Sequence, residues 1–138
     1  MADDDLFTVD DIEMRRIAPS YTIETARELR RKGWSEINWL IGADMLNSLP
    51  TWREPSALLR EVNFIVMARP GFQFDWQSLG PQYAGLRTNL VEVPSIDISA
   101  TQIRDRVAAR QPIDGLTPPP VVEYIRTRGL YHVPAART

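Results

Sequence analysis

Ser99-Ala-Thr-Gln-Ile-Arg104 sets two hydroxyls and a guanidinium at the start of a helical pattern. A helix N-terminus presents free backbone N–H groups and partial positive charge, which suits phosphate. Ser99 and Thr101 add hydroxyl donors, and Arg104 reaches round the first turn with a bidentate fork. The plainer reading is a capped amphipathic helix with a solvated arginine. Gly42-Ala-Asp44 offers backbone without side-chain bulk, then a carboxylate able to accept from two ribose hydroxyls. Equally, Gly42 makes a turn and Asp44 caps the next helix. Pro19-Ser-Tyr-Thr22 opens a helix and holds an anion in the same way, or is a plain cap with a packed tyrosine. Trp52, near Pro50 and Arg53, stacks on an aromatic ring or fills a gap between loops. Trp34, Trp39 and Trp76 read as packing residues, Asp3 to Asp5 as a solvated run, and His132 as a tail residue.

The elements that must carry these groups alternate along the chain. Phe7 to Ile12 alternates apolar and polar residues, as a half-buried or edge strand does. Ile23, Ala26 and Leu29 recur at helical spacing, with Thr22 as N-cap and Gly33 just past a basic last turn, predicting a helix over about 23–32. Residues 37–41 read as a buried strand, and Met45 to Leu49 as a short helical piece that stops before Pro50. Pro55 opens a helix whose apolar face is Leu58, Leu59 and Val62. Phe64 to Ala68 is a second apolar strand, closed by Arg69-Pro-Gly71, and Leu90 to Val93 a third. Between them, 72–89 has only a weak helical signal around Trp76. Ser99 with Gln102 forms a capping box ahead of Ile103, Val107 and Ala108 on one helical face. Pro118 to Pro120 introduce a last helix that Gly129 ends. Apolar strands separated by helices imply an α/β layered parallel sheet, in which ligands sit beyond the carboxyl ends of the strands.

Composition narrows the chemistry. The length fits a single domain spanning residues 1–138, with no repeat or linker. The absence of cysteine removes disulfides, thiolate zinc sites and cysteine nucleophiles. One histidine leaves no histidine pair within the chain. A net charge of −2 argues against a nucleic-acid coat. The longest uninterrupted apolar run, Phe64 to Ala68, is far short of a bilayer span, and the acidic start is unlike a secretory leader. The expectation is a cytoplasmic domain with no nucleic-acid or membrane partner.

Taken in order, the segments resemble bacterial nicotinate-nucleotide adenylyltransferases. The resemblance rests on Val9-Asp-Asp-Ile-Glu-Met-Arg15, Pro19-Ser-Tyr-Thr-Ile-Glu-Thr25, Leu40-Ile-Gly-Ala-Asp44 and Leu49-Pro-Thr-Trp52. It continues through Val66-Met-Ala-Arg-Pro-Gly71, Asp97-Ile-Ser-Ala-Thr-Gln-Ile-Arg104, Val122-Glu-Tyr-Ile125 and Gly129-Leu-Tyr131. It implies a Rossmann-like nucleotidyltransferase fold and the transfer of AMP from ATP, with Mg²⁺, to nicotinate mononucleotide, giving deamido-NAD and pyrophosphate. It further implies that Gly42 and Asp44 hold the adenylate ribose, and that Ser99, Thr101 and Arg104 hold the ATP phosphates. Tyr21 and Thr22 then face the nicotinate carboxylate, and Trp52 stacks on the pyridine ring. Ser99-Ala100 stands where many relatives carry two serines.

The family's opening strand, glycine-rich turn and His-x-Gly-His motif, and the strand after them, have no counterpart here. With one histidine, at position 132, the motif is not hidden elsewhere in the chain. Such donors stabilise charge on the leaving pyrophosphate, and one of them is worth about 2.7–4 kcal/mol. The chain is therefore expected to be a partial nucleotidyltransferase domain, the C-terminal portion of the enzyme, with little activity alone and no assured catalytic or metal-ligating residue. A sheet without its first two strands leaves 7–12 without a neighbour and the 37–41 edge open, which invites self-association. The alternatives are a non-catalytic nucleotide-binding or interaction module and an adenylyltransferase with another phosphate acceptor.

Overall fold

A computed structural model describes residues 6–17 and 19–131, so Asp3 to Asp5 and His132 lie outside the described residues. The chain divides into two compact units, Met1–Pro94 and Ser95–Thr138.

The first unit is α/β. Its elements are α1 (Thr22–Arg31), β1 (Asn38–Gly42), α2 (Pro55–Glu61), β2 (Asn63–Ala68) and β3 (Leu90–Glu92). Single 3₁₀ turns at Ala43–Met45 and Leu49–Thr51, and a longer 3₁₀ segment at Pro81–Arg87, fill the connections. The strands form one parallel sheet in the order β1-β2-β3. Asn38 faces Asn63 and Gly42 faces Met67, while Val66 faces Leu90. Parallel pairing forces crossovers, and these bring the carboxyl ends of all three strands to one side.

The core explains the elements. Ile23 and Ala26 on α1, Ile41 on β1, Leu58 on α2, and Phe64, Val66 and Ala68 on β2 are all buried. Leu46, Leu49, Leu79, Tyr83 and Leu86 complete the same cluster from the connections. Each fully buried Leu, Ile or Val gains about 1.5–3 kcal/mol over its exposed state. On β2, burial alternates: Phe64, Val66 and Ala68 are sealed, whereas Ile65 and Met67 are half-buried. On β1, Ile41 is buried while Leu40 is 56% exposed.

Several expectations change. Phe7 to Asp11 forms no strand, and Ile12 to Arg15 is a turn. No strand among the described residues pairs with this stretch, and Asp10 Oδ1 accepts the Ile12 N–H at 3.0 Å, so the backbone bonds locally instead. Thr22 is the first residue of α1 rather than its cap; Tyr21 takes the cap position in extended geometry with no side-chain cap bond. The piece at Met45 to Leu49 is broken into two 3₁₀ turns, Ser48 Oγ donating to the Met45 carbonyl at 2.9 Å ahead of Pro50.

The end of α1 is as predicted. Gly33 has φ +97°, and Gly33 N–H and Trp34 N–H donate to the Arg30 and Leu29 carbonyls, a Schellman closure.

The second unit holds α3 (Ala100–Ala108) and α4 (Pro119–Arg128). Val107, Ile113 and Ile125 are buried together, with Ile103, Val122 and Leu130 packed against them. Ala108 is exposed rather than part of that face. Among the described residues no helix is long and apolar enough to cross a membrane.

Candidate functional site

Three of the sequence-predicted residues meet at one cavity. Tyr21 and Thr22, from the start of α1, and Trp52, from the loop before α2, line a space of about 290 Å³ with Ser20, Thr51, Arg53 and Leu58. The uncapped α1 terminus puts its positive end here: helix bonding begins with Glu24 and Thr25 N–H donating to the Tyr21 carbonyl. Trp52 is half-buried, its Nε1 donating to Ser48 Oγ at 3.3 Å and its ring packing edge-on against Phe64 with centroids 6.3 Å apart. Two contacts therefore fix the orientation of the indole.

An ionic clamp joins the Trp52 loop to α1. Arg27 donates to both oxygens of Glu54, at 3.1 and 2.7 Å. This hydrogen-bonded pairing holds the Glu54 carboxyl below the usual carboxylate range and raises the Arg27 guanidinium. Next to it, the Arg53 guanidinium lies 4.7 Å from the centre of the Tyr21 ring and its Nε is 3.7 Å from Glu24 Oε1. The clamp was not legible in sequence, because Arg27 and Glu54 are 27 residues apart. Arg53 was seen only as a neighbour of Trp52.

Behind the cap, Thr25 is 4% exposed. Its hydroxyl donates to Glu13 Oε1 at 2.6 Å and accepts from Arg16 at 2.7 Å, and Arg16 also donates to Glu28 at 2.8 Å. Glu28 is held below its ordinary range, first by that bond from Arg16. The segment before α1 is thus tied to the helix that forms one wall of the cavity.

Gly42 and Asp44 line a second cavity, of about 630 Å³, at the carboxyl ends of the strands, with Met67, Arg69, Phe72 and Val93 among its walls. Asp44 is exposed. The Asp44 carboxylate folds back toward the strand end, into the space a Cβ at Gly42 would take, so a larger residue at 42 would push that carboxylate aside. Met67, Arg69 and Phe72 were missed as lining residues; their positions at and just after the end of β2 are the signal that could have found them.

In the second unit, Ser99 caps α3, its Oγ accepting the Gln102 N–H at 3.1 Å. Arg104 Nη2 donates to Thr101 Oγ1 at 3.0 Å, folding the guanidinium over the first turn. Ser99, Thr101 and Arg104 are all exposed, so one helix start displays two hydroxyls, a cation and free N–H groups together. Among the described residues no group of three or more His, Asp or Glu is arranged to hold a metal ion. Mg²⁺ carried on nucleotide phosphates would belong to the substrate.

Comparison with known proteins gives the kinship. Residues 1–106 match the cytidylyltransferase-like family. A probable nicotinate-nucleotide adenylyltransferase of Roseiflexus is 41% identical, covering 94% of this chain and 66% of the relative. That of Moorella thermoacetica is 42% identical, covering 91% and 60%, and one from Escherichia coli is 37% identical, covering 95% and 70%. The chain thus spans less than two thirds of the length of the first two relatives. Among solved structures, Plasmodium falciparum nicotinic acid mononucleotide adenylyltransferase complexed with APC superposes with TM-score 0.59 at 20% identity, over 90% of this chain and 64% of that one. A second structure of that enzyme, complexed with NaAD, gives TM-score 0.57 at 19% identity, over 81% and 57%. These superpositions agree with the Rossmann-like parallel sheet, and the sequence matches give the kin: the chain belongs to the cytidylyltransferase-like family, among its nicotinate-nucleotide adenylyltransferases.

Proposed function

We propose that the chain provides the substrate-binding part of an enzyme that transfers AMP from ATP to nicotinate mononucleotide. The observation that carries this reading is the meeting of Tyr21, Thr22 and Trp52 around one cavity, from segments some thirty residues apart in sequence. In it, the pyridine ring stacks on Trp52 and its carboxylate faces the α1 terminus at Tyr21 and Thr22. The adenylate ribose bonds to Asp44, with Gly42 giving close approach, and the ATP phosphates bond to Ser99, Thr101 and Arg104. The mononucleotide phosphate oxygen attacks the α-phosphorus, a new P–O bond forms, and the bond to the β-phosphate breaks with its electron pair leaving on pyrophosphate. Positioning and electrostatic stabilisation are what a protein contributes to such a transfer.

A second reading is favoured by one sequence fact. The single histidine leaves the chain without a histidine pair to stabilise the leaving pyrophosphate. On that reading the 138-residue chain is a binding module that keeps the mononucleotide pocket without rapid chemistry.

Both readings predict that nicotinate mononucleotide quenches tryptophan fluorescence saturably. Trp52→Phe should remove most of that quench and weaken binding about tenfold or less, as fits the loss of one stacking contact worth about 0.5–1.5 kcal/mol. No saturable quench, or an unchanged one in Trp52→Phe, overturns the pocket assignment. Pyrophosphate release on adding ATP then separates the readings: release at the rate of full-length relatives supports the enzyme, and binding without release supports the module.

A further inference from the structure

We infer that Arg53 is a specificity-determining residue of the mononucleotide pocket, selecting an acidic ring substituent over a neutral amide; this rests on the reading of that pocket given above. Of the residues that line the cavity, Ser20, Tyr21, Thr22, Thr51, Trp52, Arg53 and Leu58, only Arg53 carries a formal charge. Other arginines of α1 and of the segment before it show what a structurally committed arginine looks like. Arg27 donates two hydrogen bonds to Glu54, Arg16 donates to Thr25 and Glu28, and Arg30 donates to the Trp34, Ser35 and Glu61 carbonyls.

Arg53 differs. Among the described residues it has the Tyr21 ring beneath it at 4.7 Å and Glu24 at 3.7 Å, a separation too long for a hydrogen bond. Its side chain is 52% exposed. The aromatic face fixes the guanidinium without using its N–H groups, so the donor fork remains available to a ligand.

The chemistry of selection follows. A carboxylate only accepts hydrogen bonds, and the two electropositive features of this cavity, the α1 terminus and the Arg53 fork, only donate, while the Ser20, Tyr21, Thr22 and Thr51 hydroxyls serve either ligand. A carboxamide at the same place presents an NH₂ donor to a cation and to N–H groups, leaving donors facing donors. Selection against the amide therefore comes from mismatch as much as from attraction to the acid. The Arg27–Glu54 clamp keeps the loop from withdrawing the guanidinium.

The test is a fluorescence titration of the full 138-residue chain with nicotinate mononucleotide and with nicotinamide mononucleotide, for wild type, Arg53→Gln and Arg53→Lys. Both ligands carry the same phosphate, so the ratio of their affinities isolates the ring substituent. Arg53→Gln is expected to lose about tenfold in affinity for the acid, the order of one charge-assisted hydrogen bond at a half-exposed site, and less than twofold for the amide. Arg53→Lys is expected to recover part of the acid preference. An equal loss for both ligands overturns the inference, because Arg53 would then serve the shared phosphate or the loop. An unchanged ratio in Arg53→Gln overturns it while leaving the pocket assignment intact. Failure of wild type to bind either ligand removes the pocket assignment itself, and the inference with it.

Discussion

Glu54 sits in the left-handed backbone region, with φ 50° and ψ 54°, a conformation that side-chain-bearing residues rarely adopt. The bidentate bond from Arg27 and the start of α2 at Pro55 hold it there, and Trp52 and Arg53 are fixed in turn. The pair has a defined pH signature. Pairing lowers the folded carboxyl below its ordinary value of 4.5, so the stabilisation is fully present above that value and is lost as pH falls through the lowered one. Glu54→Gln should therefore unfold at lower urea than wild type at pH 7, with a gap that closes as pH falls well below 4.5. The gap should be small, since both side chains are partly exposed. Urea midpoints at several pH values check this, and a gap independent of pH would mean the carboxylate contributes nothing through its charge. At this scale the sequence identified groups by type: a tryptophan in a proline-flanked loop and hydroxyls at helix starts are legible because their chemistry is local. The Glu54 clamp and the open donors of Arg53 depend on which residues the fold brings to them, and no local pattern reports that.

At the amino ends of the strands, three asparagines hydrogen-bond in a row across the sheet. Asn63 Nδ2 donates to Asn38 Oδ1 at 2.7 Å, and Asn89 Nδ2 donates to Asn63 Oδ1 and to the Phe64 carbonyl, both at 3.0 Å. Asn38 and Asn63 open β1 and β2 as register partners, and Asn89 precedes β3, so the row marks one register for all three strands. Asn63→Ala breaks both side-chain links at once and should cost about 1 kcal/mol, because each exposed bond contributes little net. Thermal unfolding measures this, and a variant as stable as wild type would show that backbone pairing alone sets the register. The elements themselves were legible where signals agreed: the Gly33 closure, the Ser99 cap, Pro55 at a helix start and three apolar runs. Residues 7–12 misled because alternation describes a strand only if a neighbour pairs with it. The 72–89 stretch gave little because residues 72–80, Trp76 included, are turn and loop, and the one helical piece is the 3₁₀ segment Pro81–Arg87, whose side chains Tyr83 and Leu86 are buried by tertiary contacts rather than by a helical stripe.

The sheet as a whole ends, among the described residues, at β1, which pairs with β2 on one side only. Natural edge strands are blunted by lysine, proline or a bulge. Asn38-Trp-Leu-Ile-Gly42 carries no charge and no proline, and Leu40 in its centre is 56% exposed. Leu6, Phe7, Val9, Met14 and Ile17 add exposed apolar surface in the segment before α1. A strand with free N–H and C=O groups and an apolar face is a template for another strand, so the 138-residue chain should self-associate as its concentration rises. Leu40 lines neither the Trp52 cavity nor the Asp44 cavity, so a charge there tests the edge without touching either site. Leu40→Lys should lower the weight-average mass seen by sedimentation equilibrium toward that of one chain, and leave nicotinate mononucleotide quenching unchanged. Association that persists in Leu40→Lys would point to the apolar segment before α1 instead of the strand edge. A wild-type chain that stays monomeric across the whole concentration range would show that the β1 edge is covered in solution, and the open-edge argument would fail.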